Sequence, residues 1–254
     1  MNAYLFLCMA LCGAGTPTDS VSSGVYAFAN LTATSTPTGE TRSILEGATT
    51  PLAHLMLQAE SVQPGGTTHS ERSHADVEEL IIVKEGSVRI RLGSEAQVVG
   101  PGSVAVVMPG EAHSLENAGA GLATWFAFQY RSRQPANPAR AEQAGGSFVI
   151  DWNDAEMRET ATGGRRDFFD RATTMFERFE MHVSTLNQGL TNHAAHTHRA
   201  EEFVVVMRSD VEMLIGETHQ TATAGDVIFL ESMIPHALDN IGTGSTEYFA
   251  FQWQ

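Results

Sequence analysis

The chain has 254 residues with 42% hydrophobic and 18% charged side chains, an ordinary globular balance with apolar content for two compact cores. Its formal net charge of −15 repels phosphate backbones and anionic membrane faces, which argues against nucleic acid as a partner. Both cysteines, Cys8 and Cys12, stand near the N-terminus, so a folded body beyond them has neither disulfide nor thiolate ligand, and zinc-finger and iron–sulfur readings are excluded.

In chain order, residues 4–11 form an apolar run followed by the small residues of Cys12-Gly13-Ala14, and no Lys or Arg precedes Arg42. Residues 1–24 are read either as a signal peptide or as a disordered N-terminus; the first reading favours a periplasmic or secreted protein over a cytoplasmic one. The apolar run is too short to span a bilayer, so no membrane span is expected. Residues 80–83, 87–92 and 104–107 are short β-branched runs bounded by Gly or Pro, and each predicts a strand. A polar linker with Pro and Gly over residues 131–146 separates a first unit, 25–135, from a second, 136–254. A short helix is expected around residues 154–158.

Residues 163–171 are dense in charge and aromatics. Either Arg165 or Arg166 reaches a pocket and clamps a substrate carboxylate, or the segment packs one unit on the other or on a second subunit, so a homodimer is admitted. On a strand over residues 175–183, Glu180 and His182 share a face, which either lines a pocket or faces outward. Strands at 203–206, 211–215 and 227–230 follow, and their even spacing predicts a sandwich or barrel rather than βαβ units.

The chain also repeats itself. Trp125-Phe126-Ala127-Phe128-Gln129-Tyr130 recurs as Tyr248-Phe249-Ala250-Phe251-Gln252-Trp253, a shift of 123 (249 − 126). The same shift carries Gly66 to Gly189, Glu78-Glu79 to Glu201-Glu202, His113 to His236 and Asn117 to Asn240, with no gap from Gly66 onward.

The second copy contains His193-Ala194-Ala195-His196-Thr197-His198-Arg199-Ala200-Glu201-Glu202. On extended chain, residues two apart share a face, so His196 and His198 point the same way and Glu202 has the same parity. His236 follows a four-residue apolar strand, and a neighbouring strand would bring it back to them. Three imidazoles and one carboxylate suit one borderline divalent ion, Mn, Fe, Ni or Zn, at roughly 2.0–2.2 Å. Such an ion, if six-coordinate, keeps open positions for substrate. The competing reading is two surface imidazoles beside a solvated Glu.

His196-x-His198-x3-Glu202, followed by Gly225-x10-His236-x3-Asn240, resembles the two motifs of the cupin superfamily, and the doubled unit resembles a bicupin. The resemblance implies an all-β fold of two tandem double-stranded β-helix (jelly-roll) barrels. It also implies one divalent ion held by His196, His198, Glu202 and His236, and a small polar substrate bearing a carboxylate or hydroxyls. Decarboxylase, dioxygenase, lyase and isomerase chemistries all occur on that ligand set. Glu202 is the ligand expected to swing off and serve as a base. Ser209 departs from the motif, which ends in Gly, as at Gly86 of the first copy. The shift places Ser73 and Ala75 opposite His196 and His198, so the first site is expected to be degenerate; a shifted site of His69, His74, Glu79 and His113 would require a bulge. Two alternatives stand: a manganese hydrolase like the ureidoglycine aminohydrolases, and a non-catalytic ligand-binding or storage bicupin.

Overall fold

The structure, a computed structural model, describes residues 20–68 and 70–254. The signal-peptide reading of residues 1–19, and the part of the shifted site that falls on His69, lie outside the described residues. The fold already begins within the segment 1–24, because Val21 is buried and donates its N–H to the Ala48 carbonyl at 2.9 Å.

Strands dominate, and the two halves repeat one two-sheet jelly roll. In the first, Val104–Val107, Glu78–Glu85, Ala123–Ser132, Leu52–Val62 and Gly39–Gly47 run side by side, and Glu95–Val99, Val88–Leu92 and His113–Asn117 form the smaller sheet. The second repeats this with Val227–Leu230, Glu201–Arg208, Thr246–Trp253, Phe179–Leu186 and Gly163–Arg171, and a smaller sheet of Thr218–Ala222, Val211–Ile215 and His236–Asn240. The sheets do not follow a cut of the chain between residues 135 and 136. Gly24–Tyr26 pairs with Val227–Leu230 of the second half, and Phe148–Ile150 pairs with Val104–Val107 of the first. Each half thus lends the other an edge strand.

The helix expected at residues 154–158 is absent: Trp152–Asp154 form a 3-10 turn and Met157–Thr160 an edge strand. An α-helix lies instead in the linker, at Pro138–Gln143. Its start has a clear physical cause. Pro138 presets the first turn, and the Asn137 side chain accepts the Arg140 N–H at 3.0 Å. No helix among the described residues is long and apolar enough to cross a membrane.

The repeated aromatic strands face two ways. Phe126 and Phe128, with Phe249, Phe251 and Trp253, enter a core shared by both halves. The alternate residues turn inward, Trp125 and Ala127 into the first jelly roll and Tyr248 and Ala250 into the second. Phe128 meets Phe251 at 5.1 Å and Phe203 at 5.3 Å between ring centroids, in edge-to-face contacts that lock the halves together.

Glu78 and Glu201, equivalent residues, are buried in this junction. Glu78 accepts from the Tyr130 hydroxyl at 2.7 Å and the Met175 N–H at 3.2 Å. Glu201 accepts from the Thr49 hydroxyl at 2.7 Å and the Thr50 N–H at 3.3 Å. Each reaches from one half to a loop of the other. Burial pushes both carboxyls up to about 7 against the opposing pull of their hydrogen bonds. An unfolded Glu ionises from about 4.5, whereas native Glu78 does so only near 7, so the stability it contributes is complete below 4.5 and falls as pH rises to about 7. Glu78→Gln abolishes that fall. Relative to wild type it gains on the order of 1–3 kcal/mol between pH 5 and pH 8. Urea unfolding at both pH values measures the gain, and a difference that does not move with pH would contradict the assignment.

Candidate metal centre

In the second half, Glu202 sits on the large sheet between Leu230 and Gln252, with Val204 and Val206 continuing the inward face along its strand. Glu201, one residue earlier, points the other way, into the junction. His236 opens its strand on the small sheet and is tied to His196 by paired backbone hydrogen bonds of 3.2 and 3.0 Å. Met233 N–H bonds the His198 carbonyl at 2.8 Å, so the irregular segment carrying both histidines is laid against the start of that strand. A ligand nitrogen from each of His196, His198 and His236 falls within 4.8 Å of the others. Glu202 Oε2 lies 3.0 Å from His198 Nε2 and 3.4 Å from His236 Nε2.

The donor set fits a cation. His198 Nδ1 lies 2.9 Å from the Ala200 carbonyl and His236 Nδ1 lies 2.9 Å from that of Ile234. A carbonyl can only accept, so each Nδ1 carries a hydrogen and each Nε2 faces Glu202, where it donates to the carboxylate when protonated and offers its lone pair when a metal ion displaces that proton. His236 Nε2 is buried and has no hydrogen-bond partner. Two imidazole nitrogens and a carboxylate aimed at one place suit a positive charge between them, a proton or a metal ion. Burial alone would push the Glu202 carboxyl up, but the hydrogen bond from His198 and the proximity of the His198 and His236 imidazoles outweigh it and hold it at about 2. The hydrogen bond to Glu202 raises His198; burial, then the neighbouring His193, His236 and His198, lowers His196.

These side chains line a cavity of about 310 Å³ together with Arg165, His182, Asn192, Tyr248 and Gln252. Arg165 and His182 therefore reach the space that holds the histidines. Arg166 does not. The two arginines alternate on one strand, Arg165 opposite Ser184 and Arg166 opposite Val183, so they face opposite sides. Arg166 donates to the Ala155 carbonyl and stacks over Trp152 at 4.6 Å, a packing role. His182 Nδ1 lies 2.8 Å from Glu180 Oε1, the oxygen that Arg165 Nη2 also approaches at 2.8 Å. Burial would raise Glu180, yet His182 and Arg165 keep it ionised below its ordinary range. Sequence reasoning assigned no role to His193, which also lines the cavity with its ring 4.2 Å from that of His196. Its i, i+3 spacing to His196 was the available signal.

The family model described as a cupin domain matches residues 59–128 and 182–251, over half of the chain. The chain belongs to the cupin family. Two matched segments on two equivalent jelly rolls make it a bicupin. Solved structures similar to this bicupin include a protein described as glyoxylate-induced from Pseudomonas aeruginosa, at 15% identity and TM-score 0.71, covering 94% of this chain and 92% of that one. The protein Ylba from E. coli aligns at 13% identity and TM-score 0.70, over 94% and 95% of the two chains. Oxalate decarboxylase from Lactobacillus farciminis, in a formate complex, aligns at 12% and 0.70, over 92% and 87%. At these identities the likeness is one of fold. No curated protein matches the sequence.

Within the bicupin, the first domain corrects the ungapped alignment of the copies. His196 bridges to His236, and the residue that bridges in the same way to His113 is Arg72, not Ser73. The His198 carbonyl accepts from Met233 N–H, and the His74 carbonyl accepts from Gly110 N–H in the same manner. The shift is therefore 124 at this loop and 123 from Glu79 onward, because one extra residue lies between His74 and Glu79. His74 thus stands in place of His198 and clusters with Glu79 and His113. One ligand position is changed, His196 to Arg72, where the ungapped shift removed two. Ser209 retains the turn that Gly86 makes: its φ is 68° against 80°, a left-handed conformation that costs a serine about 1 kcal/mol.

Proposed function

We propose that this bicupin is a divalent-metal-dependent enzyme acting on a small polar molecule that carries a carboxylate or hydroxyls, with His196, His198, Glu202 and His236 as the ligands. The carrying observation is the buried, partnerless Nε2 of His236, converging with His198 Nε2 on Glu202 inside an accessible cavity. These residues would hold one ion, Mn, Fe, Ni or Zn, which would supply Lewis-acid chemistry, or redox chemistry where it is a redox metal. A cavity of about 310 Å³ is at the small end for ligand sites, which suits a metabolite rather than a polymer.

Arg165 contributes a cationic contact for a substrate carboxylate, its orientation held by Glu180 and Asp167. His182 is the better-placed base. Glu180 accepts the hydrogen of Nδ1, which leaves Nε2 to take a proton, and the same carboxylate stabilises the imidazolium formed. Glu202 serves as ligand. In the metal-free site its carboxyl is held at about 2, which favours the role of ligand over that of swinging base. An open cavity that places Arg165, His182 and Asn192 beside the ligands, and backbone partners on two ligand imidazoles, support an enzyme over a storage protein.

Elemental mass spectrometry of gently purified protein is the test, with about one ion per chain expected in wild type and none in His196→Ala at unchanged circular dichroism. Equal metal content in the two would sink the ligand assignment. Against small hydroxy- and keto-carboxylates, His182→Gln is expected to lower turnover roughly 10²–10⁴-fold while leaving metal content intact. Unchanged turnover in that variant would remove His182 from the chemistry.

A further inference from the structure

We propose that the first cupin domain is a cation site filled by the protein's own side chain: the guanidinium of Arg72 occupies the position of a metal ion. His113 Nδ1 lies 3.2 Å from the Glu111 carbonyl, so its Nε2 carries the lone pair, as His236 Nε2 does. Arg72 Nε donates to that Nε2 at 3.2 Å, and Arg72 Nη2 donates to Glu79 Oε1 at 2.7 Å. Gln129 Nε2 donates to the same oxygen at 3.1 Å. The Glu79 side chain is 1% exposed and His113 Nε2 stands 2.9 Å from its other oxygen. A carboxylate so deeply buried needs a compensating charge. In the second domain a loadable ion meets that need; in the first, Arg72 meets it permanently.

The two occupants exclude each other. A metal binds an imidazole along its Nε2 lone pair at about 2.0–2.1 Å. The Arg72 N–H already engages that lone pair, at 3.2 Å between the nitrogens. The rest of the first domain agrees with a closed, structural site. Where the second domain places His182, Ser184 and Tyr248 around its cavity, the first places Gln58, Glu60 and Trp125. Trp125 is fully buried and donates to Glu60 at 2.9 Å, while Gln58 donates to Glu60 at 2.5 Å, so these three side chains occupy with their own hydrogen bonds the space that the second domain leaves open. His74 Nε2, buried and without a hydrogen-bond partner, stays 3.7 Å from Glu79 Oε2. Every ligand but one is still in place, and Arg72→His completes the set of three imidazoles and one carboxylate.

The experiment uses the full chain with the second site disabled by His196→Ala and His198→Ala, so its outcome does not depend on the metal reading of the second domain. The protein is equilibrated with Zn²⁺, freed of excess, and its ions counted per chain by elemental mass spectrometry. With Arg72 intact the expected count is zero; with Arg72→His it is one, and adding Glu79→Gln returns it to zero. An ion held while Arg72 is present, and lost on Glu79→Gln, would overturn the proposal by showing that Arg72 yields to metal. No ion in folded Arg72→His would overturn it equally. Thermal unfolding of Arg72→Ala in the same background gives a second measure. It should melt on the order of 10 °C below its parent, and Zn²⁺ should restore that loss without raising the parent. Unchanged melting, or a loss that Zn²⁺ does not reverse, would refute a cation role for Arg72.

Discussion

Phe251→Ala is expected to destabilise the whole protein by about 3–5 kcal/mol, the range for truncating a fully buried aromatic. Phe251 is 1% exposed, and its ring lies 5.1 Å from Phe128, 5.5 Å from Phe203 and 6.2 Å from Phe179. Phe128 belongs to the first half and the other two to the second, so the cavity opens where the halves meet and none of these strands is free to collapse into it. Against a total stability of roughly 5–15 kcal/mol, that loss is a large fraction. Because each half also carries an edge strand of the other, the halves should unfold together. Urea denaturation followed by tryptophan fluorescence and by circular dichroism tests both points. One shared transition, shifted to lower urea, is the expected result; two separated transitions would mean that the shared core does not couple the halves.

That coupling was only partly legible in the sequence. The repeat announced two copies, and the 123 shift located the aromatic strands and their alternation correctly. It hid the cross-over of edge strands, since Gly24–Tyr26 and Phe148–Ile150 are three-residue segments whose pairing is set by the sheet edge they meet rather than by their own pattern. The ungapped shift also misled at the first site. The loop from Arg72 to Glu79 differs in length by one residue from that between His196 and Glu202, and a one-residue slip on extended chain exchanges the faces. Gly65 at φ 70°, matching Gly189 at φ 73°, was the place where the register could have been seen to break, since a left-handed turn needs its glycine at one position only. The second site was legible because its ligands stand in one short segment plus one strand start. Arg166 misled for the opposite reason: composition singled out the arginine pair, and only the strand register could tell which of the two faces the cavity.

Divalent-ion binding by the second domain is expected to weaken roughly 10–100-fold between pH 7.5 and pH 5.5, through competition by protons. Each bound imidazole must be neutral. Burial and the adjoining imidazoles lower His196, so it adds less to the slope than an ordinary imidazole would. His198 is raised by its hydrogen bond to Glu202 and keeps a proton at pH values where an ordinary histidine has shed it. Metal must displace that proton, and each pH unit below the pKa of His198 therefore costs about a factor of ten in affinity. Glu202, at about 2, remains ionised throughout and contributes no slope. Glu202→Gln separates the two roles of the carboxylate. It removes an anionic ligand, which weakens binding at every pH, and it removes the acceptor that raises His198, which moves the onset of proton competition to lower pH. Zn²⁺ titrations against a chromophoric chelator from pH 5.5 to 8 distinguish these effects. A flat affinity profile in wild type would show that His198 is not a ligand. A variant that loses affinity without any shift in the profile would show that Glu202 binds the ion but does not set the protonation of its neighbour.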